Sequence, residues 1–150
     1  MDVVKGMSEN DIEGCLHKLS DFNGVMSYED LPNRVKSGYY VVNSASKATS
    51  GEHWFVMYFP PSFITAEFFD SLGHTPNYYG VENVLISNSE MYKRNTKQLQ
   101  HTESTLCGQY CVLYCYLKSK HGFTFEQYLS IFSDDLIRND TVVKFWEKCH

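Results

Sequence analysis

Apolar positions along this 150-residue chain change their spacing several times, and each change predicts an element. Ser8-Glu9-Asn10-Asp11 has the form of a helix N-cap, and Ile12, Cys15, Leu16 and Leu19 follow at helical intervals. Asp21-Phe22-Asn23-Gly24 predicts the end of that helix, and Leu31-Pro32-Asn33 a loop. Gly38–Asn43 is a short apolar run that predicts a strand, and the small, polar stretch Ser44–Gly51 predicts a hairpin loop. His53–Phe59, closed by Pro60-Pro61, and Ala66–Asp70, closed by Ser71-Leu72-Gly73, predict two more strands. Three strands on short links imply an antiparallel meander. Pro76–Glu82 reads as a connection with some helical turn, and either Val84–Ile86 or Met91–Lys93 could add a strand.

Leu106–Lys118 is apolar at nearly every position and is followed by Gly122, the pattern of a largely buried helix with a glycine stop. Two further helices are predicted near Thr124–Phe132 and Asp140–Lys148. These elements give an α+β class: a mostly antiparallel sheet packed against a central helix, with flanking helices.

Composition narrows the picture. The length suits one domain, 1–150, and ten Phe with eleven Tyr predict an aromatic-rich core. The longest uncharged apolar run, near Cys107–Leu117, is too short to span a membrane, and the N-terminus lacks the regions of a signal peptide. An unsecreted protein with reduced thiols is therefore expected. The net charge of -5 argues against a general nucleic-acid binder, and Lys93, Arg94 and Lys97 read as a solvated surface. Five cysteines without a CxxC pair suggest neither a disulfide framework nor a zinc site. Cys107, Cys111 and Cys115 share one helical face, but ligands on one straight helix diverge, and no metal is expected. Cys111 and Cys115 read as small buried side chains.

Four residues carry candidate chemistry. A thiolate is the reactive form of cysteine, and a helix N-terminus and a neighbouring His both favour it; Cys107 is placed to have both. Gly108 would allow close backbone approach to a substrate. His53 begins a strand, where its ring can face a cleft, and Asp70 ends the neighbouring strand, where a carboxylate can orient that ring. Gln100, or alternatively Gln98, could donate to an oxyanion together with the Cys107 N–H. Trp54 could cover the cleft beside His53 or fill the core. Each residue also has an ordinary structural reading; their joint occurrence in the order His, Asp, Gln, Cys is what points to a thiol protease.

Three blocks resemble the adenovirus maturation protease (adenain) family: Gly51-Glu52-His53-Trp54, Phe68-Phe69-Asp70-Ser71-Leu72-Gly73, and Gln100-His101-Thr102-Glu103-Ser104-Thr105-Leu106-Cys107-Gly108. The steps from His53 to Asp70 and from Gln100 to Cys107 match that family's spacing, and the second favours Gln100 over Gln98. Gly38–Asn43 and Asn139-Asp140-Thr141-Val142-Val143 look most like proteases of Polinton/Maverick elements, adintoviruses and virophages. Proteases of ubiquitin-like proteins share a similar pattern, but their cysteine usually follows an Asp, whereas Leu106 precedes Cys107 here.

The resemblance implies an adenain-like, permuted papain-like fold and a cysteine endopeptidase with His53, Asp70, Gln100 and Cys107 in its site, needing no cofactor. It implies capsid or core precursors as substrates, cut at Gly-Gly or Gly-X sites, in the virion and the infected-cell interior, whether nucleus or cytoplasm. The alternatives are a protease of ubiquitin-like proteins and a non-catalytic module that grips Gly-Gly tails. The chain is acidic where the adenovirus enzyme is basic, so stimulation by DNA is not expected. No cysteine lies between Asp70 and Cys107, which leaves room only for a non-covalent activating peptide. A monomer is expected.

Overall fold

The computed structural model describes residues 6–45 and 53–149. Helix α1 (Glu9–Leu16) opens on a complete capping box: Ser8 Oγ accepts from the Asp11 N–H and the Asp11 carboxylate accepts from the Ser8 N–H. Strand β1 (Phe22–Ser27) follows, then β2 (Gly38–Asn43), β3 (Trp54–Phe59) and β4 (Thr65–Phe69). A 3-10 turn (Pro76–Tyr79) and α2 (Glu82–Asn88) lead to β5 (Met91–Arg94). Helices α3 (Cys107–His121), α4 (Phe125–Leu129) and α5 (Leu136–Cys149) complete the chain.

The five strands form one sheet in sequence order. The expected meander is its centre, where β2, β3 and β4 pair antiparallel; β1 and β5 each add a parallel strand at an edge. The class is α+β, as the pattern implied. Strand β1 occupies the stretch expected to end the first helix. It is half-buried along its whole length, with a register irregularity between Phe22 and Gly24, so it lacks the alternation that marks a strand. Gly38 makes its pairing possible: Tyr39 N–H donates to Asp21 O at 2.8 Å, and a Cβ on Gly38 would lie 2.1 Å from that oxygen. Of the two candidate fifth strands, Met91–Arg94 is the strand and Val84–Ile86 lies within α2. Most of the predicted loop Ser44–Gly51 lies outside the described residues.

Strand alternation divides the core between two faces. Tyr39, Val41, Trp54, Val56 and Phe69 face α1, α3 and α4, whereas Tyr40, Val42, Phe55, Met57 and Phe68 face α2 and the preceding turn. Helix α3 is buried from Cys107 through Cys115, which explains its uninterrupted apolar sequence. Its polar groups are matched rather than avoided. Tyr110 Oη donates to Asp140 at 2.7 Å, Tyr128 Oη donates to Tyr110 O at 2.8 Å, and Tyr114 Oη donates to Glu67. Gly122 ends the helix in a left-handed conformation. These anchors hold the first turn of α3 opposite the adjoining ends of β3 and β4.

Candidate active site

Asp70 follows the last residue of β4 and starts the turn Asp70–Gly73, closed by a 2.8 Å bond from Gly73 N–H to Asp70 O. Its carboxylate is fully buried and meets only donors. Leu72 N–H and His74 N–H lie at 3.1 and 3.0 Å, Tyr79 Oη at 2.7 Å, and His53 Nε2 completes the set. Burial alone would raise its pKa, but the bonds and charge from His53, with help from Tyr79 and Leu72, lower it below the ordinary value. Asn95 fixes the backbone at this point, accepting from Asp70 N–H at 3.0 Å and donating to Asp70 O at 2.6 Å.

His53 precedes β3 and is mostly buried. Nε2 faces Asp70, and the ring is also hydrogen-bonded to the Cys107 side chain, so it lies between carboxylate and sulfur. The Tyr79 ring stacks beside it, with centroids 5.8 Å apart and planes 21° apart. Burial opposes a charge on this imidazole, but hydrogen bonds to Asp70 and Cys107, with their charges, outweigh it and raise the pKa to about 9.

Cys107 is the first residue of α3, where backbone N–H groups point out of the helix. No side chain caps this end. The preceding loop is tied back to the Asp70 turn: Leu99 and Gln100 N–H both donate to Ser71 O, at 2.8 and 3.0 Å. The buried Gln100 amide accepts from Ser71 Oγ at 2.6 Å and donates to Ser104 O at 2.8 Å. The same amide nitrogen also donates a longer bond to Ser104 Oγ at 3.4 Å. Gln98 is exposed, and its amide is spent on Gln100 O and Thr102 Oγ1.

His53, Gln100 and Cys107 line a single cleft of about 430 Å³ with Gly6, Met7, Trp54, Leu72, Thr102, Ser104 and Thr105. Asp70 stands behind His53, outside the lining. Both readings of Trp54 hold together: the indole is part of the core and lines the cleft, with Nε1 donating to Met7 O at 3.2 Å. Gly108 requires a correction. It is buried and does not line the cleft, and the close approach it permits is to Met7, whose Cβ would be 2.8 Å from a Cβ on residue 108. Sequence reasoning missed Tyr79, Asn95, Ser71 and Ser104, which hold the acid and the glutamine. Gly51 and Glu52 lie outside the described residues. Cys111 and Cys115 are fully enclosed, and burial pushes both thiols well above the ordinary range. The described residues contain no group of three or more His, Cys, Asp or Glu placed to hold a metal.

An acid, an imidazole and a thiol in line, beside amide donors and an open cleft, can carry out nucleophilic acyl transfer. No protein-family model matches the chain. A protease of bovine adenovirus 4 is 27% identical over 137 residues, a match that covers 77% of this chain and 67% of that protein. Among solved structures, a crystal structure of an ASFV protease superposes with a TM-score of 0.56 at 16% identity, covering 90% of this chain and 66% of that one. The chain thus spans about two thirds of the length of each. The chain is similar to the bovine adenovirus protease in sequence and shares a fold with the ASFV protease, and these likenesses support a peptidase.

Proposed function

We propose that this protein is a cysteine endopeptidase with Cys107 as nucleophile. One observation carries the proposal: the His53 ring lies between the buried Asp70 carboxylate and the side chain of a cysteine at a helix N-terminus. His53 holds the proton of Cys107, and the thiolate attacks the scissile carbonyl. The Cys107 N–H and the Gln100 amide, which gives up its long 3.4 Å bond to Ser104 Oγ, bind the oxyanion. The imidazolium then protonates the leaving amine, leaving a thioester on Cys107. His53 takes a proton from water as the hydroxide adds to the thioester, and collapse of the adduct breaks the carbon–sulfur bond, releasing the acid product and leaving the Cys107 thiolate beside the imidazolium. Asp70 keeps Nε2 protonated and the ring aimed at sulfur.

By likeness to the adenovirus protease, the substrates are capsid or core precursors, cut at Gly-containing sites during assembly in the infected cell and virion. Mass spectrometry of the purified protein mixed with such precursors, with Gly-Gly-X peptides and with folded ubiquitin-like precursors tests this reading. New termini at Gly sites in the first two support it, whereas cleavage of the third alone replaces the substrate class. Cleavage of none of them, with Cys107 unreactive to alkylation, removes the endopeptidase.

Two further outcomes are expected. Gln100→Ala removes an oxyanion donor and should lower kcat by about 100-fold with little change in KM; an unchanged kcat would dismiss Gln100 from the oxyanion site. Activity should fall as pH rises through about 9, because His53 there loses the proton it must donate. The same proton stabilises the folded protein. His53 is raised above its ordinary 6.5, so this contribution is full below 6.5 and is lost as pH rises through about 9. A kcat/KM profile and thermal melts from pH 6 to 10 check both, and an alkaline limb near 7 would contradict them.

A further inference from the structure

The cleft has a wall that comes from the other end of the chain. Gly6 and Met7 line it together with His53 and Cys107. On the His53 side, Met7 O accepts the Trp54 indole N–H at 3.2 Å. On the Cys107 side, the Met7 side chain fills the space left by the missing Gly108 side chain. Gly6 runs equally close to the loop before α3, where a Cβ on it would lie 3.0 Å from Thr105 O and 3.6 Å from Thr105 Cβ. The segment therefore reaches both sides of the cleft. Its position is fixed directly behind, because Ser8 caps α1, whose Ile12 and Leu16 are fully buried in the shared core.

We infer that Gly6–Met7 is a wall that bridges the substrate cleft, and that the Met7 side chain sets the size of substrate residue accepted beside the scissile bond. The inference rests on the peptidase reading for its substrate, a polypeptide, but not for the wall itself. A flexible thioether tolerates small and apolar groups and rejects large ones by occupying their space. Methylene-sized differences in such a subsite are worth about tenfold or more in discrimination.

The test uses the full-length protein and the variants Met7→Ala, Met7→Leu and Met7→Trp, each checked for folding by near-ultraviolet circular dichroism. Peptides carrying Gly, Ala, Leu or Phe at each position around the scissile bond are compared by kcat/KM. At one position, Met7→Ala should raise the Leu-to-Gly ratio by about tenfold, Met7→Trp should lower it, and Met7→Leu should stay near wild type. Size-graded alkylation of Cys107 supplies a second readout that needs no turnover. The rate with a bulky maleimide relative to iodoacetamide should rise in Met7→Ala and fall in Met7→Trp. Movement of the alkylation ratio in a protein that cleaves no peptide upholds the wall while removing the peptidase. Folded variants in which neither ratio moves overturn the inference.

Discussion

Cys107→Ala is expected to reduce peptide hydrolysis to background, a loss on the order of a million-fold for removal of a nucleophile from an assembled site. The substitution exchanges a thiol for a methyl group at the first position of α3, a position Ala tolerates well, so the fold should survive. His53→Ala should cause a comparable loss, because the same proton transfer fails from the other side. Selective alkylation separates these losses from misfolding. Near pH 6 an ordinary thiol is almost wholly protonated and slow. The wild-type protein should nevertheless label at Cys107, while Cys111 and Cys115 stay unreactive in their enclosed positions. His53→Ala should abolish that selectivity with circular dichroism unchanged. Full turnover in Cys107→Ala would remove the nucleophile assigned here.

Asp70→Asn is expected to be far from a conservative change. The carboxylate faces Leu72 N–H, His74 N–H, Tyr79 Oη and His53 Nε2, and every one of them is a donor. An Asn side chain brings a single acceptor oxygen, so its NH₂ must point at donors that have nowhere else to turn. The variant should lose about 3 kcal/mol of stability, the scale for breaking a buried, hydrogen-bonded ion pair. It should also lower kcat by about 10,000-fold, as when an acid that fixes a catalytic tautomer becomes an amide. Denaturant unfolding gives the first quantity and steady-state kinetics at a temperature below the melt gives the second. A variant with native stability and a rate within a few fold of wild type would show that Asp70 neither holds the imidazole nor anchors the turn.

The elements and chemistry visible in the sequence are those written by local pattern. The Ser8 capping box, the meander β2–β4 and the buried helix ending at Gly122 each follow from spacing within a dozen residues. His53, Asp70, Gln100 and Cys107 could be singled out because their residue types are chemically capable and their order is informative. What supports them was not legible. Asn95 reaches Asp70 across 25 residues, and Ser71 reaches Gln100 across 29, and in sequence each is an ordinary polar loop residue. The resemblance favoured Gln100 over Gln98 by spacing, and burial and partners give the physical reason: one is exposed and spent on its own loop, the other is enclosed beside the cleft. Strand β1 was hidden because its pairing depends on a partner strand and on Gly38, not on its own alternation. Gly108 was misread because the Met7 side chain, far away in the chain, determines why no side chain fits there.

Met7 against Gly108 also sets the order in which this molecule can be completed. Met7 must wait for the start of α3, about a hundred positions later, before this contact exists. Contacts of such long separation form late, after the loop-closure entropy has been overcome. A nascent chain therefore carries His53 and Asp70 before Cys107 is made, and the cleft gains its final wall only when the Met7 segment meets the start of α3.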